Sequence, residues 1–148
     1  MAVAPEIPAW TNDFNRKVAE DFRANDGKVG PPFEGAPMIL LWTTGAKSGK
    51  TYLAPLVYQA DGDRVLIFAS KAGAPTNPDW YHNLVANPTV TVEVAKADGV
   101  DTYEATATEI KGDERDALYR RQVELMPGFG DYEAKTSRTI PVISITKN

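Results

Sequence analysis

The sequence predicts a mainly β protein, a closed or nearly closed antiparallel β-barrel with attached helices. Three observations carry that expectation. Six short segments have strand-like apolar patterns, and most are joined by tight turns. Helical patterns occur only before, within and near the end of this series. A parallel sheet would need a crossover helix after nearly every strand, and the chain lacks them. With 148 residues and no linker, repeat or low-complexity tract, residues 1–148 read as one domain.

Each element has its own signal. MAVAPEIP (1–8) is a loose start. Trp10, Phe14, Val18 and Phe22 recur at every fourth position, the apolar stripe of an amphipathic helix over residues 9–24. NDGKVGPP (25–32) stops it. MILLWTT (38–44) is a short apolar strand. TYLAPLVYQ (51–59) is strand-like, but Pro55 has no amide to donate, which assigns an edge or a bulge. ADGD (60–63) turns into RVLIFAS (64–70), a strand of buried type. Asn77 is the expected cap of a second helix, with Pro78 at its first position and Trp80, Tyr81, Leu84 and Val85 on one face. Asn87-Pro88 ends it.

TVTVEVAK (89–96) alternates cleanly, DGVD turns, and TYEATATEI (102–110) alternates again. A third helix opens after Gly112 with Asp113 as its cap. Leu118, Gln122 and Leu125, beside Tyr119, Val123 and Met126, form its inner face. PGFGDY (127–132) reads as a loop, and IPVISIT (140–146) is the last strand.

Composition removes several classes of function. The chain has no cysteine, so disulfides, thiol catalysis and thiolate metal sites are excluded. One histidine, His82, leaves almost no material for a metal centre, and none is expected. No apolar run approaches the roughly 20 residues of a membrane span, and no signal-peptide pattern opens the chain, so a cytoplasmic protein is expected. Cations near the first helix (Arg16, Lys17, Arg23) raise a membrane-surface alternative. Asp13, Glu20 and Asp21 balance them, which favours packing of the stripe on the barrel or on a partner subunit.

The net charge of −4 argues against a nucleic-acid partner. Residues 43–71 run the other way: Lys47, Lys50, Arg64 and Lys71 stand against Asp61 and Asp63. A locally basic patch on an acidic chain suits a small anionic ligand, although solvated lysines on loops read equally well.

Within that patch, TTGAKSGKT (43–51) imitates a phosphate-binding P-loop and fails the test. Only three residues separate Gly45 from Gly49-Lys50-Thr51, where the motif needs four. A P-loop also opens a helix, whereas the residues after Thr51 are strand-like and include Pro55. What remains is a glycine-bearing strand connection whose amides, Ser48 and lysines can meet an anion. A second candidate, ASKAGAPTNPDWYHNL (69–84), joins a strand end, a glycine loop and a helix start, with Trp80 as a flat wall and Asn83 as a donor–acceptor amide.

Together ILLWTTGAKSGKTYLAPLVY, DGDRVLIFASKAGAPTNPDWYHNLVANPTVTVEV and MPGFGDYEAKTSRTIPVISI resemble the deazaflavin-dependent nitroreductase family. The resemblance runs from about Phe33 to the C-terminus. It implies a split antiparallel β-barrel, a flavin-reductase-like roll of about six strands with flanking helices, and coenzyme F-420 as cofactor. The implied activity is hydride transfer from the reduced coenzyme to an electron-poor small-molecule acceptor: a quinone, activated enone or nitroaromatic. By position it places the phosphate and polyglutamate cradle on Ala46, Lys47 and Ser48, with Lys50 as a further cation. Tyr52, Leu53, Ala54, Pro55, Leu56 and Val57 would run alongside the coenzyme. Phe68, Ala69, Ser70 and Lys71 would border the ring and its linker. Asp79, Trp80 and Asn83 would line the helix side, and Phe129 would approach from the late loop.

The best-known nitroreductase of the family carries tyrosines where this chain has Val57, Met126 and Phe129, so the implied substrate pocket of Val57, Met126, Phe129 and Tyr132 is more apolar here. Ser70 and Tyr132 are the candidate catalytic donors to an acceptor oxygen. The alternatives are a strand-end serine bonded to the backbone and a tyrosine that anchors a loop. Lys135 and Arg138 read as a solvated loop, with added positive charge near an anionic tail as the alternative. A non-catalytic deazaflavin carrier, an FMN-binding split barrel and a homodimer also stay open.

Overall fold

The structure is a computed structural model, and it describes residues 3–148. Seven strands form one sheet: β1 (Met38–Thr44), β2 (Thr51–Val57), β3 (Gln59–Asp61), β4 (Arg64–Phe68), β5 (Thr89–Lys96), β6 (Gly99–Ile110) and β7 (Val142–Lys147). Their lateral order is β2-β1-β5-β6-β7-β4-β3, and every neighbouring pair is antiparallel. The two edge strands, β2 and β3, are separated in the chain by Tyr58 alone. The sheet therefore has to curl until its edges converge at that residue, giving a barrel split along one seam. Pro55 sits on edge strand β2, paired with β1 only, as its missing amide requires.

The seventh strand corrects the expectation of six. Asp61 pairs with Arg64, so the expected four-residue turn shrinks to a two-residue hairpin and frees Gln59–Asp61 to form β3.

Side-chain alternation sorts the core into an interior and two outer layers. Ile39 and Leu41 of β1, Val65 and Ile67 of β4, and Ile143 and Ile145 of β7 fill the barrel with Val90, Val92, Ala105 and Ala107. The intervening residues of β1, namely Met38, Leu40 and Trp42, face outward and are covered by α1 (Asp13–Ala24). Those of β4 and β7, namely Leu66, Phe68 and Val142, are covered by α3 (Gly112–Leu125) and α4 (Gly128–Ala134). Strands buried on both faces need apolar residues throughout, which is why MILLW and RVLIF do not alternate. The remaining helix, α2 (Asp79–Ala86), puts Leu84 into the barrel interior.

Four local expectations need correction. The stripe on α1 divides: Val18, Ala19 and Phe22 are buried, but Trp10 precedes the helix and Phe14 is half exposed. Asn12 caps α1 by accepting from the Asn15 amide at 2.8 Å. Asn77 does not cap α2; its Oδ1 is taken by Arg138 Nη1 at 2.7 Å. Asp113 lies inside the first turn of α3 rather than at its cap, and Leu125 is 63% exposed. The buried row of α3 ends instead at Gln122, whose Oε1 accepts from Gln59 Nε2 at 3.1 Å. Finally, the expected loop at 127–132 is largely α4. Phe129 inserts against Phe68 and Tyr119, and that packing overrides the poor helix propensity of two glycines.

Helix α1 is tied to the sheet by an ion pair whose carboxylate is buried and whose guanidinium is partly exposed. Arg23 Nε and Nη2 grip Glu93 of β5 at 2.9 and 2.8 Å, and Trp42 Nε1 donates to the same carboxylate at 2.7 Å. Glu93 is 1% exposed. Removing the cation would strand a buried charge, so Arg23→Ala is expected to cost about 3 kcal/mol in denaturant unfolding.

Two phenols mark the sheet–helix packing. Burial pushes the Tyr119 hydroxyl up to about 12, with Glu133 adding to it, while the group donates to Phe129 O at 2.7 Å. Burial and then the 2.6 Å bond to Glu109 push Tyr81 up to about 12 as well. A raised folded value means their stability contribution is whole below the ordinary tyrosine value of about 10 and is lost as pH rises towards 12. Spectrophotometric titration should show two phenols ionising after the others, and Tyr119→Phe should remove one of the late steps.

Candidate functional site

A groove of about 800 Å3 opens beside the β1–β2 connection, between edge strand β2 and helix α2. Thr43, Gly45, Ala46, Lys47 and Ser48 form one wall and Tyr52, Leu53 and Ala54 the next. Asp79, Trp80, His82 and Asn83 of α2 close the far side, and Asn12 and Asn15 reach in from the start of α1.

The β1–β2 connection is compact for local reasons. The Gly45 amide donates to Lys50 O at 2.7 Å and the Gly49 amide to Gly45 O at 3.1 Å. Ser48 Oγ accepts from the Lys50 amide at 3.2 Å and lies 3.1 Å from Tyr52 Oη. A Cβ on Gly45 would stand 2.5 Å from Ser48 Oγ and 2.7 Å from the Tyr52 ring, so a larger residue there would force both side chains to move.

Asn83 then locks this loop to α2. Its Nδ2 donates to Thr43 Oγ1 at 3.2 Å, and its Oδ1 accepts the Ala46 amide at 3.0 Å. Asn87 Nδ2 adds a bond to Thr44 O at 3.3 Å. The Ala46 amide is thus spent inside the protein and is not available to an anion. Lys47 stays exposed on the rim, while Lys50 turns away to lie 5.1 Å over the Trp10 ring.

The remaining expected residues lie elsewhere. Leu56 packs on the barrel interior and Val57 on the α1 layer. Pro55 is half-buried on the edge strand. Phe68 and Phe129 pack together in the α3–α4 layer, with ring centroids 5.8 Å apart, and Tyr132 stacks edge-on to Phe129 at 5.1 Å. Met126 joins that layer, so Val57 is separated from the other three members of the implied substrate pocket. Ala69 and Ser70 are buried and Lys71 is exposed. The Ser70 carbonyl accepts from the Gly73 amide at 2.9 Å and from Arg138 Nη2 at 2.8 Å.

Sequence reasoning missed Asn12, Asn15, Thr43 and His82 as lining residues. Asn12 carried a readable helix-cap signal; the other three owe their place to long-range packing. Arg138, expected in solvent, is drawn into the 69–77 loop by carbonyl partners. Among the described residues there is no cluster of groups suited to a metal, and no helix is long and apolar enough to cross a membrane.

Residues 14–147 match the family model described as F420H(2)-dependent quinone reductase. The chain belongs to that family. It is 38% identical over 132 residues to the F420H(2)-dependent quinone reductase Rv1261c of Mycobacterium tuberculosis (strain ATCC 25618 / H37Rv), covering 85% of each protein. A solved structure of an F420-H2 dependent reductase (FDR-A) is 41% identical and superposes with a TM-score of 0.64, covering 74% of this chain and 93% of the other. Another, described as a domain-swapped dimer, is 37% identical with a TM-score of 0.66, covering 90% and 97%. The resemblance read from the motifs is borne out: this F420H(2)-dependent quinone reductase family member is an oxidoreductase, with coenzyme F420 as its cofactor.

The groove suits such a group. Its volume is in the range of ligand sites, and it offers the flat face of Trp80, apolar Leu53 and Ala54, and an exposed ammonium at Lys47. Asn83→Ala would orphan Thr43 Oγ1 and the Ala46 amide together. The variant should lose about 1–3 kcal/mol in urea unfolding, with the barrel otherwise intact by circular dichroism.

Proposed function

We propose that this groove holds reduced coenzyme F420 while a quinone is reduced beside it. The observation that carries the reading is convergence. Three stretches far apart in the chain, at 46–48, 52–54 and 79–83, meet around a single opening that the Asn83 amide holds in shape.

Roles follow from chemistry. Lys47 supplies positive charge for the anionic tail, and Ser48 Oγ and Tyr52 Oη offer donors beside it. Trp80 gives the ring a flat wall, and Leu53 and Ala54 keep water from that side. When bound, the reduced coenzyme supplies a hydride, and the acceptor oxygen gains negative charge. Ser70 Oγ and Tyr132 Oη are the donors assigned to that oxygen, and solvent returns the proton that either gives up. Two features support pairing them. Ser70 lies two residues beyond β4, beside the turn that packs on α4, and a Cβ on Gly73 of that turn would lie 2.9 Å from the Tyr132 backbone carbonyl. The apolar side chains of Met126 and Phe129 beside Tyr132 suit a quinone more than a polar acceptor. A homodimer is also proposed, on the strength of the relative described as a domain-swapped dimer.

Fluorescence titration with oxidised coenzyme F420 tests the groove. Lys47→Ala should weaken binding about tenfold, and more for longer glutamate tails. Steady-state oxidation of the reduced coenzyme by menadione should then show KM for the coenzyme rising more than kcat falls. Absence of any affinity in the unaltered protein would remove the reading.

A further inference from the structure

Directly after β4 the backbone enters an unfavourable shape. Ser70 is right-handed at φ −75°, ψ −37°, and Lys71 and Ala72 follow in the left-handed region at φ 47° and 53°. Consecutive non-glycine residues there do not persist without surroundings that impose them. Gly73 continues the turn at φ 84° and is pressed on α4, where a Cβ would stand 2.9 Å from both Tyr132 O and Lys135 Cβ.

The opposite side of the turn is held by one guanidinium. Arg138 Nε donates to Ala74 O at 3.0 Å. Its Nη1 donates to Ala69 O at 3.1 Å and to Asn77 Oδ1 at 2.7 Å, and its Nη2 to Ser70 O at 2.8 Å. Four bonds thus close around both ends of the left-handed turn. Only a planar fork with several fixed donors can do this; the ammonium of a lysine is a single centre. Among the described residues no carboxylate pairs with Arg138, so carbonyl dipoles alone hold its charge.

Asn77 links this clamp to the site, because α2 begins two residues later and carries Asp79, Trp80 and Asn83 into the groove wall. We propose that Arg138 is a positioning residue: it imposes the left-handed turn and, through Asn77, sets the entry of α2, and with it Asp79, Trp80 and Asn83, into the groove wall. This rests on the coenzyme reading above.

The test compares oxidised-coenzyme affinity in the unaltered protein, Arg138→Lys, Ala72→Gly and the double variant, with circular dichroism confirming each fold. Arg138→Lys should bind about tenfold more weakly. Ala72→Gly, which lowers the cost of the left-handed shape, should change binding less than about twofold alone and recover most of the loss in the double variant. Asn77→Ala, which removes one of the four bonds and leaves the guanidinium, should fall between, and serves if Arg138→Lys does not fold. Unchanged affinity in both clamp variants, or a loss that Ala72→Gly does not reduce, overturns the proposal. If the unaltered protein binds no coenzyme, the groove reading fails, and hydrogen exchange then decides the clamp by itself. Faster exchange of amides 70–74 in Arg138→Lys supports it, and unchanged exchange overturns it.

Discussion

The architecture depends on one constraint: the two edges of a seven-stranded sheet are joined by a single residue, Tyr58. An open, gently twisted sheet cannot satisfy it. Curling encloses one apolar interior and turns the outer faces of β1, β4 and β7 into surfaces that need cover of their own. Helix α1 covers one and the α3–α4 pair the other. The short edge strand β3 is tied by side chains to α3: Gln59 to Leu118 O, Gln122 and Arg121, and Asp61 to Arg121 at 3.1 Å. Bonds from Arg64 and then Arg121 hold the Asp61 carboxyl below the usual range. These contacts satisfy an edge that would otherwise be an open template.

The groove is a by-product of the same closure. The β1–β2 connection projects beyond the barrel wall, and α2, which plugs the interior with Leu84, passes beside it. Asn83 converts that proximity into a fixed geometry, because one amide side chain satisfies a buried hydroxyl and a loop amide at once. Groove wall and structural core therefore meet on a single helix: Leu84 faces the core while Asp79, Trp80 and Asn83 face the groove. The acidic chain also leaves Lys47 exposed on the rim of the groove, where its positive charge suits a small anionic partner.

Much of this was legible in the sequence, and the physics of periodicity says which parts. Strands β5 and β6 are covered mainly on one face and alternate visibly, so their positions were readable to within a few residues. Strands β1 and β4 are covered on both faces and read as continuous apolar runs, still recognisable by length and turn signals. Pro55 announced its edge. Helix α4 was hidden because Gly128 and Gly130 suppress local helix propensity, and only Phe129 packing on Phe68 restores it. The α1 stripe was over-read at Trp10, which instead donates from Nε1 to Thr51 O at 2.9 Å outside the helix. Most of the groove wall was readable because its residues sit in recognisable loop and helix-start segments.

By itself the sequence determined the antiparallel strand series, the edge at Pro55, the absence of thiol chemistry, and the motif segments that carry the coenzyme resemblance. Each is a local pattern, set by neighbours within a turn or a strand. Only the tertiary structure decided that Asn83 would meet Ala46, that Arg23 would meet Glu93, and that Arg138 would grip Ala69 and Ser70. Those partners lie 37 to 70 residues apart in the chain. Strand register and the curl of the sheet bring them together, and a hydrogen bond exists only where donor and acceptor arrive within about 3 Å of each other.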